Sequence, residues 1–465
     1  MNSLVSLHLA SAQPSASLIA SSSRRGSVHG GSRRRDANTA ETASTPARFA
    51  KNPILRLRFA RVLGFFLLPV ALMFSAAACG AAADTFGVLY SVSVKPESES
   101  AVVKIRLTRN AQLVEWLKLR VKPQRYGDFS GTGRISVQGD EVLWTPPAQD
   151  AWLQYRVEIS SRRRNGQYDG MITPQWALFR ADDLVPPIHS RFANATASSS
   201  AKLQFHLPEG WSVEPRYPRY KSGRFKVDDP RRRLDRPTGW LVMGKIGTRR
   251  DTIGETRVAV SAPVGQDVRY LDMLAFLRWI VPSMQALFPR FPERLLVVSA
   301  DDPLWRGALS GPGSIYIHRD RPMISGNGTS TLAHELIHVA MRARGGSGAD
   351  WIVEGLAEYY SLEVLRRSGT ISEARFDKAH QKLAEWGKDV QKLDVERSSG
   401  PVTARAVGVL REIDRDIRRN SGGTRSLDDV ARALAADEGP VTVRRFEDLV
   451  TEMSVAPLIG VPDER

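Results

Sequence analysis

Residues 331–360 read TLAHELIHVAMRARGGSGADWIVEGLAEYY, and the interpretation of the whole chain rests on this segment. His334 and His338 are four positions apart, so on a helix their side chains lie on one face. Two imidazoles on one face can bind one metal ion through nitrogen, as a tetrahedral Zn²⁺ site requires. Glu335 would then lie beside the ion, where its carboxylate can accept a proton from water. This pattern predicts a helix that carries a metal site.

A second helix is expected to complete this site. The glycine-rich segment 345–348 ends the first helix and lets the chain reverse. A helix that opens at Asp350 and packs antiparallel on the first can present Glu354 to the metal as a third ligand. Glu358, one turn later, can accept the outer N–H of His334. Two nitrogens and one carboxylate leave a coordination position open for water, which is typical of catalytic rather than structural zinc sites.

Composition and charge exclude some functions. The chain has 465 residues, with 42% hydrophobic and 25% charged, as in an ordinary globular protein. Its formal net charge is +16, and half of it lies in residues 1–83, where ten Lys and Arg face only Asp36 and Glu41. The remainder shows no basic helix and no aromatic-basic platform, so we expect no nucleic-acid partner.

The N-terminal 83 residues have the composition of an export signal with an extension before it. Residues 1–50 are rich in Ser, Arg and Ala, which predicts disorder. Because so long an extension before a signal is unusual, the alternative interpretation is a wrongly chosen start codon. Residues 51–83 follow the basic, apolar and small-residue order of a signal peptide, with cleavage before Asp84. The protein is then expected in the periplasm or outside the cell. In the alternative interpretation Cys79, the only cysteine, is lipidated and anchors the protein to a membrane.

Hydrophobic periodicity divides the remainder into two parts. Residues 84–265 alternate apolar and polar side chains between Pro and Gly turns, which predicts a mainly antiparallel, sandwich-like β domain. Residues 266–465 show helical periodicity with a small sheet. We expect an α+β, multidomain fold, with helices near 274–287, 331–344, 350–367, 371–392, 404–420 and 426–436.

These motifs resemble those of the gluzincin metallopeptidases, and above all the glycyl-aminopeptidase family, bacterial relatives of aminopeptidase N and leukotriene hydrolase. The family joins an H-E-x-x-H helix to a W-x-x-E-G-x-x-x-Y-Y helix, which matches 334–338 and 351–360, and has a later S-L-D-D segment, which matches 426–429. The resemblance implies a thermolysin-like catalytic domain behind a β domain. It also implies one Zn²⁺ per chain on His334, His338 and Glu354, and a peptide or protein substrate.

Two positions depart from the family pattern. Family members place a Gly-rich strand beside the zinc, and its Glu holds the α-amino group of the substrate. Here the matching residues are Gly307, Ala308, Leu309 and Ser310, with Ser310 in place of that Glu. The family tyrosine that stabilises the oxyanion is replaced by Arg405, which is our candidate oxyanion donor. Alternative donors are Tyr316, His318 and His380.

The departures leave two functional hypotheses. In the first, the protein is an exported zinc peptidase, either aminopeptidase-like or an endopeptidase, with Glu335 as general base. In the second, it binds zinc without catalysis and recognises peptides or proteins through the same cleft. The retained Glu335 favours the first hypothesis, because a binding protein has no chemical need for a base there. The sequence does not indicate the oligomeric state.

Overall fold

The computed structural model describes residues 84–229, 231–398 and 400–455. Its fold is α+β, with a β-rich N-terminal part and a helical C-terminal part that includes a small sheet, as the sequence predicts. The predicted extension 1–50 and signal peptide 51–83 lie outside the described residues. Among those residues, none of the helices has the length and apolar character needed to cross a membrane.

The N-terminal part consists of short strands that bury alternate residues. In the first strand, for example, Val88, Tyr90, Val92 and Val94 are buried while the residues between them are less so. The elements are β1 (Thr85–Lys95), β2 (Ser100–Arg109), β3 (Val114–Arg120), β4 (Tyr126–Gly131), β5 (Arg134–Gln138), β6 (Glu141–Thr145), β7 (Trp152–Glu158), β8 (Ser161–Arg162), β9 (Tyr168–Ile172), β10 (Trp176–Arg180), α1 (Ala181–Leu184), β11 (Ile188–Phe192), β12 (Ser198–His206), β13 (Ser212–Pro215), β14 (Phe225–Val227) and β15 (Trp240–Gly244).

These strands form three sheets around one apolar core. Their orders are β14-β12-β1-β2-β7-β4, β11-β3-β6-β5 and β13-β15-β10-β9-β8. The pairing is antiparallel except between β1 and β12, which run parallel. Large buried side chains such as Trp144, Tyr155 and Phe179 fill the space between the sheets.

A fourth sheet links the β-rich part to the helices. Its strands are β16 (Ile246–Ile253), β17 (Thr256–Pro263), β18 (Arg294–Ala300), β19 (Ala308–Gly311) and β20 (Ser314–His318), in the order β16-β17-β18-β20-β19. The hairpin β16–β17, which precedes the predicted domain boundary at 265/266, pairs with β18 beyond it. β18 is buried on both faces, which explains its continuous apolar run.

The two faces of this sheet pack on different parts of the chain. Val297 and Ile317 belong to the core shared with the helices. Val298 and Tyr316 pack instead against Trp240 of β15, and the Trp240 and Tyr316 rings lie 5.2 Å apart. The sheet therefore connects the β-rich part to the helical part through buried apolar contacts.

The six predicted helices of the C-terminal part are present in the predicted order, and a seventh helix follows them. They are α2 (Tyr270–Leu287), α3 (Thr331–Met341), α4 (Asp350–Arg367), α5 (Glu373–Gly387), α6 (Gly400–Asn420), α7 (Leu427–Ala436) and α8 (Val443–Met453).

Several helix ends differ from the predicted ones for local reasons. α3 ends three residues earlier than predicted because Arg342 has φ 52°, in the left-handed region that closes a helix. α5 begins at Glu373 because the Ser372 hydroxyl accepts the N–H of Arg375 at 3.3 Å. The sequence pattern does not predict α8, whose buried face consists of only Phe446 and Leu449.

α4 is held against α6 by a very close approach of the two backbones. A Cβ atom at Gly355 would lie 2.7 Å from Cβ of Ala406 and 3.0 Å from Cδ1 of Leu410. Real side chains do not approach so closely, so the contact requires glycine at position 355. Gly355 directly follows Glu354, and the contact therefore fixes the segment of α4 that carries the predicted metal ligand.

We expect Gly355→Ala to lower the free energy of unfolding by about 1–3 kcal/mol, because the added methyl group overfills the contact with α6. The matched control is Gly408→Ala on α6, where a Cβ meets no atom within 4 Å. That change should leave stability equal or raise it by up to about 1 kcal/mol, since alanine favours the helix. Chemical denaturation measures both, and equal stability of the two variants would contradict the packing requirement at position 355.

Candidate metal centre

Helix α3 holds its polar residues in a rigid, buried position. The Ser330 hydroxyl accepts the N–H of Ala333 at 3.2 Å and so caps the first turn. Leu332, Ala333, Leu336 and Ile337 are fully buried in the core shared with the sheet. Apolar packing therefore fixes the helix that carries His334, Glu335 and His338.

The two imidazoles and Glu354 converge on one point. Nε2 of His334 lies 3.1 Å from Nε2 of His338, while the oxygens of Glu354 lie 3.4 and 3.5 Å from these two nitrogens. In a tetrahedral zinc site with bonds of about 2.0–2.1 Å, neighbouring ligand atoms are about 3.3 Å apart. The three side chains thus have the spacing that one Zn²⁺ ion requires.

Glu358 orients His334 from the opposite side. Nδ1 of His334 lies 2.9 Å from Oε2 of Glu358, and both groups are buried. Because a carboxylate can only accept, Nδ1 carries the proton of a neutral ring and Nε2 presents its lone pair to the ligand cluster. His334, the earlier histidine on α3, reaches Glu358, the later glutamate on α4, while the later His338 contacts the earlier Glu354. The two helices therefore run antiparallel, as predicted.

The electrostatics of the cluster favour a bound cation. Burial would raise the pKa of Glu354, but His338 and His334 lower it overall, so Glu354 is ionised at neutral pH. Burial would lower the pKa of His334, yet the neighbouring carboxylates of Glu354 and Glu358 raise it overall. Oε2 of Glu354 is buried without a hydrogen-bond partner among the described residues. A metal ion would satisfy this oxygen and accept the Nε2 lone pairs of both imidazoles, so the residues fit Zn²⁺.

Glu335 lies beside the ligands and is held by the sheet. Its Oε2 accepts the backbone N–H of Ser310 on β19 at 2.7 Å, which leaves Oε1 for another partner. Glu335 is 7% exposed, and burial raises its pKa above the ordinary value for a glutamate. A carboxylate with a raised pKa is a better general base near neutral pH.

The predicted substrate segment forms the end strand of the linking sheet. Ala308 packs toward the helices and Leu309 toward the β-rich part, so Ser310 lies on the same face as Ala308, toward α3. Gly307 precedes the strand and packs directly against the indole ring of Trp305. The carbonyl of Ser310 accepts Nη1 of Arg180 at 3.3 Å, which ties β19 to the end of β10.

Two of these contacts have no signal in the sequence. Arg180 lies 130 positions before Ser310, and no local pattern connects them. The contact to Glu335 comes from a backbone N–H, which every residue except proline possesses, so residue types do not reveal it.

The candidate oxyanion donors occupy different environments. The side chain of Arg405 on α6 is exposed, and its backbone lies against Gly387 at the end of α5. The Tyr316 hydroxyl donates to the carbonyl of Trp305 at 2.8 Å, so its proton is already used. His380 is buried, and its ring stacks edge-on against Phe376. The role of Arg405 stays a prediction.

A second group, Asp301, Asp302 and His318, also brings its donor atoms within 4.8 Å of one another. Its carboxylates are bound by arginines, because Arg306 pairs with Asp302, and Arg319 lies 3.0 Å from Asp301. Nδ1 of His318 accepts the backbone N–H of Asp320, so Nε2 of the neutral ring carries the proton and cannot bind a metal. Because its carboxylates are paired with arginines and His318 offers no lone pair, this group, unlike the first cluster, has no set of atoms free to bind a metal.

Comparison with known proteins supports the fold. No protein-family model and no curated protein matches the sequence. An aminopeptidase N family protein from Idiomarina loihiensis is similar in structure, with a TM-score of 0.57 and 13% identity over 79% of this chain and 71% of that one. Yeast LTA4 hydrolase in complex with bestatin is similar with a TM-score of 0.50 and 12% identity, over 79% of this chain and 64% of that one.

At these identities the likeness concerns the fold alone. The predicted resemblance to relatives of aminopeptidase N and leukotriene hydrolase is confirmed as a shared architecture, a β-rich part followed by a helical part. The chain spans less than two thirds of the length of the yeast protein. Membership in the glycyl-aminopeptidase family stays a prediction.

We expect the protein to bind one Zn²⁺ ion and to lose it in His334→Ala, His338→Ala and Glu354→Ala. Glu358→Gln should weaken the affinity by about 10–100-fold, because the carboxylate that orients His334 is removed. Competition with a chromophoric chelator measures both effects.

The matched control is Glu363→Gln, farther along α4, since Glu363 binds Arg366 and Arg367 rather than a histidine. It should keep the affinity of the unaltered protein. Equal affinities of the two glutamine variants would contradict the orienting role of Glu358, and zinc retained by His338→Ala would place the metal elsewhere.

Proposed function

We propose that the protein is a zinc-dependent peptidase that uses Glu335 as general base. The observation that carries the proposal is the position of Glu335. Its buried carboxylate lies next to His334 and His338 and is held by the backbone of Ser310 on β19. A site that only binds metal has no need for an additional carboxylate fixed beside its ligands.

His334, His338 and Glu354 would hold the metal ion. When bound, Zn²⁺ would polarise the peptide carbonyl and lower the pKa of a water molecule to about 7. Glu335 accepts the proton of the attacking water and then delivers it to the nitrogen of the leaving amine. The Ser310 N–H holds one carboxylate oxygen of Glu335 in place, so the other stays directed at the reacting water. Glu358 keeps the lone pair of His334 aimed at the metal.

The substrate we infer is a peptide segment in an extended conformation. Strand β19 is the end strand of its sheet and lies beside α3, so a peptide that reaches Glu335 would lie along this strand. Ser310 offers a hydroxyl where related aminopeptidases have a carboxylate, and a hydroxyl cannot form an ion pair with an α-ammonium group. We therefore propose cleavage that does not require a free N-terminus.

The alternative function is peptide or protein binding at the same metal centre without catalysis. The observation that favours it is the exposed side chain of Arg405, at the position where the resemblance expects the oxyanion donor. A cleft without such a donor would stabilise the tetrahedral intermediate poorly. Nucleic acid is not among the partners we propose.

We also propose export, on the signal-like pattern of residues 51–83 alone. Mass spectrometry of the mature protein tests it. A mature N-terminus at Asp84 supports a soluble periplasmic or secreted protein, and a lipid on Cys79 supports membrane anchoring.

We expect purified protein to cleave members of a mixed peptide library and to lose this activity with a chelator. Glu335→Gln should lower the turnover number by about 10²–10⁴-fold, because the general base is removed, while zinc content is unchanged. Glu385→Gln, on an exposed part of α5, is the control and should keep full activity. If the zinc-loaded protein cleaves nothing and Glu335→Gln binds peptides equally well, the binding alternative is correct.

The proposed specificity predicts similar kcat/KM values for a peptide and for its N-acetylated form. Ser310→Glu should raise the preference for the free N-terminus by about 10-fold or more, since the new carboxylate can pair with the ammonium group. Ser310→Gln has a similar size without charge and is the control. A strong preference of the unaltered protein for free N-termini would contradict the proposal.

A further inference from the structure

A cavity lies on the face of the linking sheet that is turned toward the β-rich part. Its volume is about 460 Å³, and it is bounded by β13 and by strands β16, β17 and β18. This volume lies within the range of about 300–1,000 Å³ that is typical of small-molecule sites. The side chains around it include Arg216, Arg250, Arg257 and Arg294, none of which belongs to the metal centre.

The charges around this arginine cavity do not balance. Two carboxylates line it, and both are already engaged, since Glu214 pairs with Arg250, and Asp251 pairs with Arg278 on α2. Arg216, Arg257 and Arg294 have no carboxylate of a described residue within 4.0 Å. Arg216 and Arg257 are thus left without a paired carboxylate among the described residues, while Glu214, already paired with Arg250, offsets only part of the charge of Arg294.

The fold holds these three arginines together. Arg257 and Arg294 are register partners on the parallel strands β17 and β18, so their side chains start from adjacent positions on one face. Nε of Arg294 donates to the carbonyl of Arg216 at 3.4 Å. Arg216 donates to the carbonyl and hydroxyl of Thr238 at 3.1 and 3.2 Å, and its guanidinium lies 4.4 Å from the ring centre of Tyr217. Arg216 and Arg294 are therefore held in place before any ligand enters, while the exposed side chain of Arg257 starts beside them.

Keeping these cations close together is costly for the free protein. Burial lowers the pKa of Arg294, the neighbouring Arg257 and Arg250 lower it further, and Glu214 raises it only in part. The positive charge of this region also acts beyond the cavity: burial lowers the pKa of Arg342 after α3, and Arg231 and Arg216 lower it further while Asp229 opposes them. An anion in the cavity would relieve this repulsion, so the arrangement is better suited to a bound ligand than to an empty site.

We propose that the arginine cavity binds a small polyanion of the phosphate class, such as a diphosphate or an organic phosphate ester. Guanidinium groups form paired hydrogen bonds with phosphate oxygens, and three of them can neutralise a ligand with two or more negative charges. The limited, concave volume favours a small molecule over a nucleic-acid duplex. This site is independent of the proposed peptidase function, because the two share no residue.

Inorganic pyrophosphate is the probe, titrated into the full chain by isothermal calorimetry. We expect saturable binding of one molecule per chain, at least 10-fold weaker in the double variant Arg257→Gln, Arg294→Gln. Arg257→Glu alone should also weaken it, and this second variant is expected to fold because Arg257 is exposed. Absence of binding to the unaltered protein would overturn the proposal.

Two controls separate this cavity from other cationic sites. Arg109→Gln combined with Arg134→Gln removes the same charge from exposed positions on β2 and β5 and should leave the affinity unchanged. His338→Ala removes the metal site, which also attracts pyrophosphate, and should leave this binding event intact. An equal loss of pyrophosphate affinity in the Arg109, Arg134 variant would mean non-specific attraction. A loss of binding in His338→Ala would assign the binding to the metal centre. Either result overturns the proposal.

Discussion

The buried negative charge of Glu354 is the constraint on which the helical part of the structure depends. A carboxylate in the interior is strongly unfavourable unless opposite charge and hydrogen bonds surround it. His334 and His338 supply that environment from α3, and Glu358 fixes one of them from α4. The close contact of Gly355 with α6 holds Glu354 at the depth where the two imidazoles reach it. The position of Glu354 relative to the two imidazoles therefore depends on the packing of α4 against α6.

The linking sheet supplies a hydrogen bond to Glu335 that the helices do not provide. β19 directs the N–H of Ser310 at Glu335, and Arg180 at the end of β10 binds the carbonyl of the same residue. The β-rich part thus supports the position of Glu335 through the backbone of Ser310. The same sheet carries the arginine cavity on its other face, between β18 and β13, so it links two chemically different sites.

The helices and the clustering of His334, His338 and Glu354 are predictable from sequence because their signal is local. His334 and His338 share a helical face by their spacing, and Ser372 and Arg342 adjust only the helix ends. Contacts between distant segments are not predictable in this way. Arg180 reaches Ser310 across 130 positions, and Arg216, Arg257 and Arg294 meet only after three strands assemble. The hairpin β16–β17 likewise gives no local sign that it pairs with β18.

X-ray absorption spectroscopy at the zinc edge tests the central claim most directly, because it reports the atoms around the metal in solution. We predict a four-coordinate site with two nitrogens at about 2.0–2.1 Å and two oxygens at similar distance, from Glu354 and water. His338→Ala should lose one nitrogen or the metal altogether. A six-coordinate shell of oxygens, or a spectrum unchanged by His338→Ala, would contradict the assignment of this centre.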